Sequence, residues 1–218
     1  MRVLIAGAGS VGQSIARELL SHGHEVTLID RSTAAMRVSL VPDADWVLGD
    51  ACEVSVLAEV NIERADVVVA ATGDDKANLV LALLAKSEFG VPRVVGRVNN
   101  PKNEWMFDET WGVDVAVSTP RIMTALVEEA VAVGDLVRIF AFRKSGSLMV
   151  EITMPDKSPL LSLTLRQLAW PGGTALTAIV RDGRPIPPDP DETIEPGDEL
   201  IFLVDVDAEA ELREMLTA

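Results

Sequence analysis

The sequence contains no tyrosine, a single cysteine and two histidines, and aromatic residues make up 4% of its 218 residues. The single cysteine, Cys52, cannot form an internal disulfide, which agrees with a protein that works in a reducing compartment. The side chains that most often serve as catalytic acids, bases and nucleophiles are therefore scarce. The composition argues against a disulfide-stabilised secreted protein and supplies little for an enzyme site.

Long apolar runs and an excess of positive charge are also missing. The longest apolar run is Leu79–Ala85, whereas a membrane-spanning helix needs about 20 residues. The chain reaches Gly7 too early for a signal peptide, and we expect a cytoplasmic protein. The net charge of −15 argues against a nucleic-acid backbone or an anionic membrane as the main partner. The negative net charge repels a small anionic ligand, so such a ligand can bind only where backbone N–H groups at a helix N-terminus provide local positive charge.

The hydrophobic pattern predicts two domains, residues 1–134 and 135–218. In the first, short apolar strands alternate with helices. The predicted strands are Val3–Ala6, Val26–Ile29, Trp46–Leu48, Val67–Ala71, Val94–Val98 and Val113–Val117. The predicted helices are Ser14–Leu20, Ala34–Leu40, Lys76–Glu88 and a short one around Lys102–Asp108. Six strands that alternate with helices in this way predict a Rossmann-type, doubly wound parallel sheet with the strand order 3-2-1-4-5-6.

A helix of different character follows at residues 119–133. It is apolar almost all round, so it must be buried on more than one side. Gly134-Asp135 ends it, and residues 135–218 then predict a small α+β domain. Its predicted elements are strands at Val137–Phe142, Leu148–Ile152, Leu176–Val180 and Leu200–Val204, a hairpin turn at Asp182-Gly183, a loop at Pro185–Pro190 and a closing helix at Ala208–Leu216.

The strongest site signal is the glycine loop at residues 7–12, Gly-Ala-Gly-Ser-Val-Gly, which follows a strand and opens a helix. In a dinucleotide-binding domain, Gly7 allows the tight turn, Gly9 lets a pyrophosphate approach the backbone, and Gly12 lets the helix pack on the strand. Asp30 ends the next strand, where a carboxylate accepts hydrogen bonds from ribose hydroxyls and repels a 2′-phosphate. The alternative is a glycine turn that serves packing alone.

Three weaker signals lie at the ends of later strands. Gly49-Asp50-Ala51 is placed at the adenine edge, or is a surface turn. The stretch Thr72–Asn78 follows the fourth strand at the switch point, or is an ordinary helix N-terminus. Arg97 ends the fifth strand and can reach a phosphate, or is an exposed side chain without a partner. The cysteine lies near the nucleotide edge, but nothing nearby lowers its pKa, and we interpret it as structural.

Taken together, these motifs resemble the RCK (KTN) family, and within it the peripheral regulatory subunits of Trk/Ktr-type potassium uptake systems. The resemblance covers essentially the whole chain and includes a Glu195-Pro196-Gly197-Asp198 hairpin. It implies an adenine nucleotide, NAD(H) or ADP/ATP, as the ligand and a membrane potassium transporter as the partner. The implied nucleotide-binding residues are Gly7, Gly9, Ser10, Val11, Gly12, Asp30, Arg31, Asp50, Ala51, Thr72, Gly73, Asp75, Asn78 and Arg97.

The resemblance also implies an assembly. In the family, the helix at 119–133 crosses over into a partner subunit, and the dimers form an octameric ring. Many relatives carry two domain pairs in one chain, whereas this chain has one. ATP/ADP-regulated relatives often carry an arginine at the position of Ser10, which weakens the case for ATP. Some relatives bind cyclic di-AMP in the C-terminal module, where Ile179-Val180-Arg181 is either a candidate site or a plain strand end.

A second hypothesis is a small NAD-dependent oxidoreductase. It needs an acid–base group facing the nicotinamide, and residues 135–218 contain no histidine, tyrosine or cysteine. An aspartate, glutamate or lysine remains available for that role. A nucleotide-sensing repressor needs a basic helix-turn-helix, which the sequence lacks. We therefore expect a regulatory binding protein with no catalytic residues and no metal site.

Overall fold

The computed structural model describes residues 1–131, 133–142 and 146–217, without the side chains of residues 129 and 130. The chain divides into two compact units, Met1–Pro120 and Arg121–Ala218. The predicted domains, 1–134 and 135–218, differ from these units in where the helix that follows residue 118 is counted. The domain boundary itself stays a prediction.

The first unit is built on a six-stranded sheet in which all neighbouring strands are parallel. Its strands are β1 (Arg2–Ala6), β2 (Glu25–Asp30), β3 (Asp45–Leu48), β4 (Val67–Ala70), β5 (Arg93–Val98) and β6 (Val115–Ser118). The order β3-β2-β1-β4-β5-β6 confirms the predicted doubly wound sheet. It reverses between β1 and β4, so the switch point, where such sheets bind ligands, lies at the carboxyl ends of these strands.

The central strands are covered on both faces, which explains their nearly continuous apolar sequences. Alternate side chains of a strand point to opposite faces. Leu4 and Val68 belong to one apolar cluster, whereas Ile5 and Val69 belong to another. The side chains that follow these strands emerge at the edge of a rigid, fully packed sheet.

Three α-helices lie in this unit: α1 (Ser10–Ser21), α2 (Val54–Glu59) and α3 (Asp75–Ser87). The helices predicted at Ala34–Leu40 and Lys102–Asp108 are short and of the 3-10 type rather than α-helical. The structure has 3-10 turns there, at Thr33–Ala35, Val38–Leu40 and Pro101–Met106. No residue of these turns is buried. Such short segments do not hold an α-helix without an apolar face to pack.

Helix α4 (Thr119–Val131) confirms the helix predicted after β6. Its apolar side chains are largely uncovered: Met123 is 61% exposed, Leu126 53% and Val127 57%. An amphipathic surface helix of a monomeric protein turns such residues to the core. The described chain therefore leaves an apolar helix surface open.

The second unit contains a five-stranded antiparallel sheet with the order β10-β9-β11-β8-β7. Its elements are β7 (Val137–Phe142), β8 (Ser147–Thr153), β9 (Thr174–Arg181), β10 (Arg184–Ile186), β11 (Glu199–Asp205) and the closing helix α5 (Glu209–Thr217). Asp182 and Gly183 have φ values of 51° and 71°, as a tight hairpin turn requires. Strand β10 corrects the prediction that Pro185–Pro190 is entirely loop, because an edge strand tolerates proline.

The arginine at the end of β9, Arg181, is surrounded by three carboxylates. The guanidinium of Arg181 contacts Asp198 at 2.7 Å, Glu195 at 2.9 Å and Glu192 at 3.1 Å. Asp198 is completely buried, and its hydrogen bonds raise the pKa of Arg181 above its usual range. Arg181 thus has its partners within the second unit, and a cyclic dinucleotide site at Ile179-Val180-Arg181 stays a prediction.

Candidate functional site

The three glycines of the loop between β1 and α1 have different structural roles. Gly7 has a φ of +101°, and a Cβ there would lie 2.8 Å from backbone atoms of Ala71 and Thr72. A Cβ on Gly12 would lie 1.9 Å from the carbonyl oxygen of Gly7. Gly9 has an ordinary φ of −71°, and a Cβ there would meet no atom within 4 Å. The fold requires Gly7 and Gly12, whereas Gly9 keeps open the space above the loop.

The N-terminus of α1 faces this open space. Gly9 is its N-cap, no side chain accepts a hydrogen bond there, and the first turn contains no acidic residue. Ser10 and Val11 line the same cavity. The first N–H groups of a helix have no partner within it, and they form the positive end of its dipole. The backbone is thus prepared to receive an anionic group.

Asp30, at the end of β2, supports the loop as well as facing the cavity. Its Oδ2 accepts a hydrogen bond from Ala8 N at 2.7 Å, and its Oδ1 accepts one from Ser32 N at 2.8 Å. Each carboxylate oxygen has a further lone pair that a ribose hydroxyl can use. The sequence pattern indicated the second role but not the first, because spacing does not reveal which side chain closes a loop.

The end of β3 supplies a second carboxylate. Asp50 Oδ1 accepts a hydrogen bond from Cys52 N at 2.9 Å, and its Oδ2 lies 3.8 Å from an Nη of Arg31. Burial, followed by the charge of Asp50, raises the pKa of Cys52 to about 11. The thiol, whose Sγ lies 3.7 Å from the carbonyl oxygen of Ala77, therefore stays protonated at neutral pH. This agrees with the structural role inferred for the cysteine.

The loop between β4 and α3 is organised by the buried side chain of Asn78. Its Oδ1 accepts hydrogen bonds from Thr72 N at 3.0 Å and Thr72 Oγ1 at 2.6 Å. Its Nδ2 donates to the carbonyl oxygen of Arg97 at 2.8 Å, which ties the loop to β5. Asp74 caps α3 by accepting from Lys76 N at 2.9 Å. Asn78 thus shapes the wall of the cavity from behind.

Asp75 also lies behind the wall. Its carboxylate accepts hydrogen bonds from the backbone of Asn99 and Asn100 and from the side chains of Asn99 and Asn103, at 2.6–3.0 Å. Burial opposes ionisation of this carboxyl, but the hydrogen bonds outweigh it and lower its pKa. Asp75 therefore anchors the segment after β5. Its carboxylate oxygens accept hydrogen bonds from this segment instead of facing a ligand.

Arg97 faces the cavity from the end of β5. Its Nε donates to Thr119 Oγ1 at 3.3 Å. Among the described residues, its two terminal nitrogens have no hydrogen-bond or ion-pair partner. A half-buried guanidinium without a counter-ion is suited to pair with an anionic group of a ligand.

These residues surround a cavity of about 530 Å³ at the switch point. It brings together most of the predicted site residues: Gly7, Gly9, Ser10, Val11, Gly12, Asp30, Arg31, Asp50, Ala51, Thr72, Gly73 and Arg97. Asp75 and Asn78 do not line it. Seven further residues line the cavity without belonging to the implied set of nucleotide-binding residues: Gly49, Asp74 and Ala77, which lie in the segments already singled out, and Ile29, Cys52, Ala71 and Leu81. The helical spacing of Ala77 and Leu81, four residues apart on one face of α3, was an available signal.

Two family models match the chain, the TrkA-N domain over residues 3–119 and the TrkA-C domain over residues 149–217. The chain belongs to the TrkA family. A TrkA relative, the Trk system potassium uptake protein TrkA of Mycobacterium tuberculosis (strain ATCC 25618 / H37Rv), is 54% identical over 99% of this chain and 98% of its own length. The TrkA homolog of Methanothermobacter thermautotrophicus is 33% identical over the full length of both chains.

Other TrkA relatives are longer. The Trk system potassium uptake protein TrkA of Vibrio alginolyticus is 28% identical over 93% of this chain, which matches 46% of that protein. Among solved structures, the GsuK channel bound to NAD superimposes with a TM-score of 0.70 at 19% identity, over 100% of this chain and 39% of that one. The GsuK RCK domain superimposes with a TM-score of 0.66 at 16% identity, over 100% and 48%. These likenesses confirm the predicted RCK resemblance and the fold.

Two features are absent from the described parts of the chain. No helix there is long and apolar enough to cross a membrane. No group of three or more histidine, cysteine or acidic side chains there is arranged to hold a metal ion.

Proposed function

We propose that this chain is a nucleotide-binding regulatory subunit of a membrane potassium uptake system, acting on the cytoplasmic side. The observation that carries the proposal is the 54% identity, over nearly the full length of both chains, to a Trk system potassium uptake protein TrkA. The open cavity at the switch point provides the ligand-binding site that a regulatory subunit needs.

The proposed ligand contains an adenosine diphosphate group, as NAD(H) and ADP/ATP both do. Its pyrophosphate lies over Gly9 and the N-terminus of α1, which no side chain caps. Asp30 accepts hydrogen bonds from the ribose, and Asp50 and Ala51 face the adenine. Three carboxylates on the lining, those of Asp30, Asp50 and Asp74, disfavour an additional 2′-phosphate.

Both nucleotide classes have structural precedent within the fold. Solved relatives of this architecture include GsuK bound to NAD and GsuK bound to ADP; the latter superimposes with a TM-score of 0.54 at 20% identity, over 62% of this chain and 35% of that one. In this chain, Ser10 offers a hydroxyl in the glycine loop instead of a cation. Arg97 is then the residue on the lining, opposite the adenine side, that meets a terminal phosphate or a second nucleotide half.

A regulatory role fits the lining better than hydride transfer does. Its titratable groups are the carboxylates of Asp30, Asp50 and Asp74, two arginines and Cys52. The thiol has its pKa raised to about 11, and the carboxylates have backbone N–H donors as partners. A general acid or base needs a pKa near the working pH. The proposed protein therefore binds a nucleotide without transforming it.

The proposed assembly uses α4. Its uncovered apolar residues, Met123, Leu126 and Val127, need a second apolar surface, and we assign that surface to α4 of a second copy, with the dimers assembling into a ring. Light scattering at micromolar concentration should then show a dimer or a larger species. Leu126→Asp should give a monomer, and a monomeric wild-type protein would refute this assignment.

The gating mechanism requires two shapes of the assembly with similar free energies. The nucleotide must prefer one of them, because a ligand with equal affinity for both shifts nothing. A coupling free energy of about 1–3 kcal/mol changes the population ratio by about 5- to 150-fold. The acidic chain suits contact with the basic cytoplasmic loops of a membrane protein.

The test is potassium flux into vesicles that contain a Trk-type transporter from the same organism. Flux should depend on the added protein and, when it is present, on NAD(H) or ADP/ATP. Gly9→Val, which fills the space over the loop, should remove the nucleotide dependence while the protein still binds the transporter. Flux that is indifferent to both the protein and the nucleotide would show that the proposal is wrong.

A further inference from the structure

Arg97 belongs to two parts of the first unit at once. Arg97 lines the cavity, and its Nε donates to Thr119 Oγ1 at 3.3 Å. Thr119 is the first residue of α4 and does not line the cavity. A single side chain therefore connects the place where an anion would bind with the start of the helix that leads into the second unit.

The backbone of Arg97 is held in place, so its side chain is the adjustable part of this connection. Asn78 Nδ2 donates to the carbonyl oxygen of Arg97 at 2.8 Å, and β5 pairs with both β4 and β6 around it. The side chain has no such restraint. Its terminal nitrogens have no partner among the described residues, and its one hydrogen bond, at 3.3 Å, is longer than the usual 2.9–3.0 Å.

The start of α4 is itself incompletely satisfied. The hydroxyl oxygen of Ser118, the residue before Thr119, is buried and has no hydrogen-bond partner in the described part of the chain. Buried polar groups are almost always paired, and an exception calls for an explanation. A junction that changes its hydrogen bonds between two states provides one.

We propose that Arg97 is a positioning residue that reports the occupancy of the cavity to α4; this inference rests on the proposed nucleotide-binding function. An anionic group of the ligand pairs end-on with the two terminal nitrogens and fixes the plane of the guanidinium. Nε remains directed at Thr119, and its hydrogen bond shortens. The first turn of α4 is thereby fixed when the site is occupied and loosely held when it is empty.

The experiment measures amide hydrogen exchange of residues 119–131 in the full-length protein, with and without saturating ADP, and in parallel with NAD. In the wild type, either nucleotide should slow exchange in this segment by about two- to tenfold, as expected when a long, weak hydrogen bond reaches the strength of an ordinary one. Thr119→Val keeps the side-chain shape and removes the acceptor, so its exchange should no longer respond to nucleotide. Thr119→Ser restores the hydroxyl and should restore the response.

The ligand-dependent difference separates this role from a merely structural one. If Thr119 only stabilised the helix, Thr119→Val would raise exchange equally with and without nucleotide and leave the difference intact. That result, with calorimetry showing that both proteins bind ADP, would overturn the inference alone. Absence of nucleotide binding to the wild type would overturn the proposed function and this inference together.

Discussion

In the second unit the guanidinium of Arg181 meets three carboxylates, whereas in the first unit no carboxylate of the described residues pairs with that of Arg97. Both are arginines near the end of a strand, and both are partly buried. Arg181 joins the end of β9 to the loop before β11 through its ion pairs, whereas Arg97 faces a cavity. What distinguishes a stabilising arginine from one that is available to a ligand is therefore whether nearby carboxylates already pair with its guanidinium.

The largest expected effect is the loss of nucleotide binding in Gly9→Val. The new side chain occupies the space over the loop but meets no atom within 4 Å of its Cβ, so the fold should keep its stability to within about 1 kcal/mol. Calorimetry with ADP and NAD measures the binding, and thermal unfolding measures the stability. Gly172→Val, at an exposed glycine with equally open surroundings, is the matched control and should bind normally.

Breaking the ion-pair cluster around Arg181 in the second unit should be the next largest effect, on stability instead of binding. Arg181→Met leaves the fully buried carboxylate of Asp198 without its cation, at a cost of about 3–5 kcal/mol in the free energy of unfolding. Arg166→Met removes an arginine from an exposed pair with Asp191 and should cost about 0–1 kcal/mol. Urea denaturation compares the two variants. Equal costs would contradict the contrast between buried and exposed pairs.

A smaller effect is expected for Asp30→Asn. The amide oxygen can still accept a hydrogen bond from Ala8 N, so the loop should persist, while the charged acceptor for the ribose is lost. Affinity for ADP should fall by about 1.5–3 kcal/mol, the range for a hydrogen bond to a charged group. Asp30→Ala should lose both contributions, and thermal unfolding should show the additional damage to the loop. If Asp30→Asn binds ADP as the wild type does, the ribose assignment is wrong.

The smallest effect concerns pH and the second unit. Hydrogen bonds from Arg138 lower the pKa of the buried Glu209 below its ordinary value of 4.5. A lowered folded-state pKa means that this stabilisation is complete above pH 4.5 and is lost as the pH falls through the folded value. Melting temperatures from pH 7 downward should show that Glu209→Gln is less stable at pH 7 and loses less on acidification. If the melting temperatures of the wild type and Glu209→Gln fall equally with pH, the pairing of Arg138 with Glu209 does not contribute the expected stabilisation.

The sheet order was predictable from the sequence because buried parallel strands have a distinctive pattern. Val67–Ala70 and Arg2–Ala6 are nearly continuous in apolar residues, and the glycine loop fixes which strand comes first in the motif. The region between β2 and β3 was not predictable in the same way. Its apolar residues suggest a helical face, but Val38 and Leu40 are exposed and pack no core. Pattern alone does not reveal whether a complementary surface exists.

The sequence predicted the site as a set of loop positions, and the structure shows which of their side chains face the cavity. Gly9, Asp30 and Arg97 face the cavity, whereas Asp75 and Asn78 turn inward to hydrogen-bond the neighbouring segments. Position after a strand determines which edge of the sheet a residue occupies, but not which way its side chain points. That depends on partners distant in sequence, such as Asn99 for Asp75 and Arg97 for Asn78. The sequence offered no spacing rule for these pairs.

The hydrogen bond between Asp30 and Ala8 N has an evolutionary consequence. The carboxylate that would discriminate against a phosphorylated ribose also closes the glycine loop. A single substitution to a basic residue, or to any residue without a side-chain acceptor, would therefore open the loop before NADP could bind. A change of preference would need a compensating acceptor for Ala8 N to arise first. Cofactor choice at this site is thus constrained by folding, and descendants of this chain should retain an acceptor side chain at position 30 even where their ligands diverge.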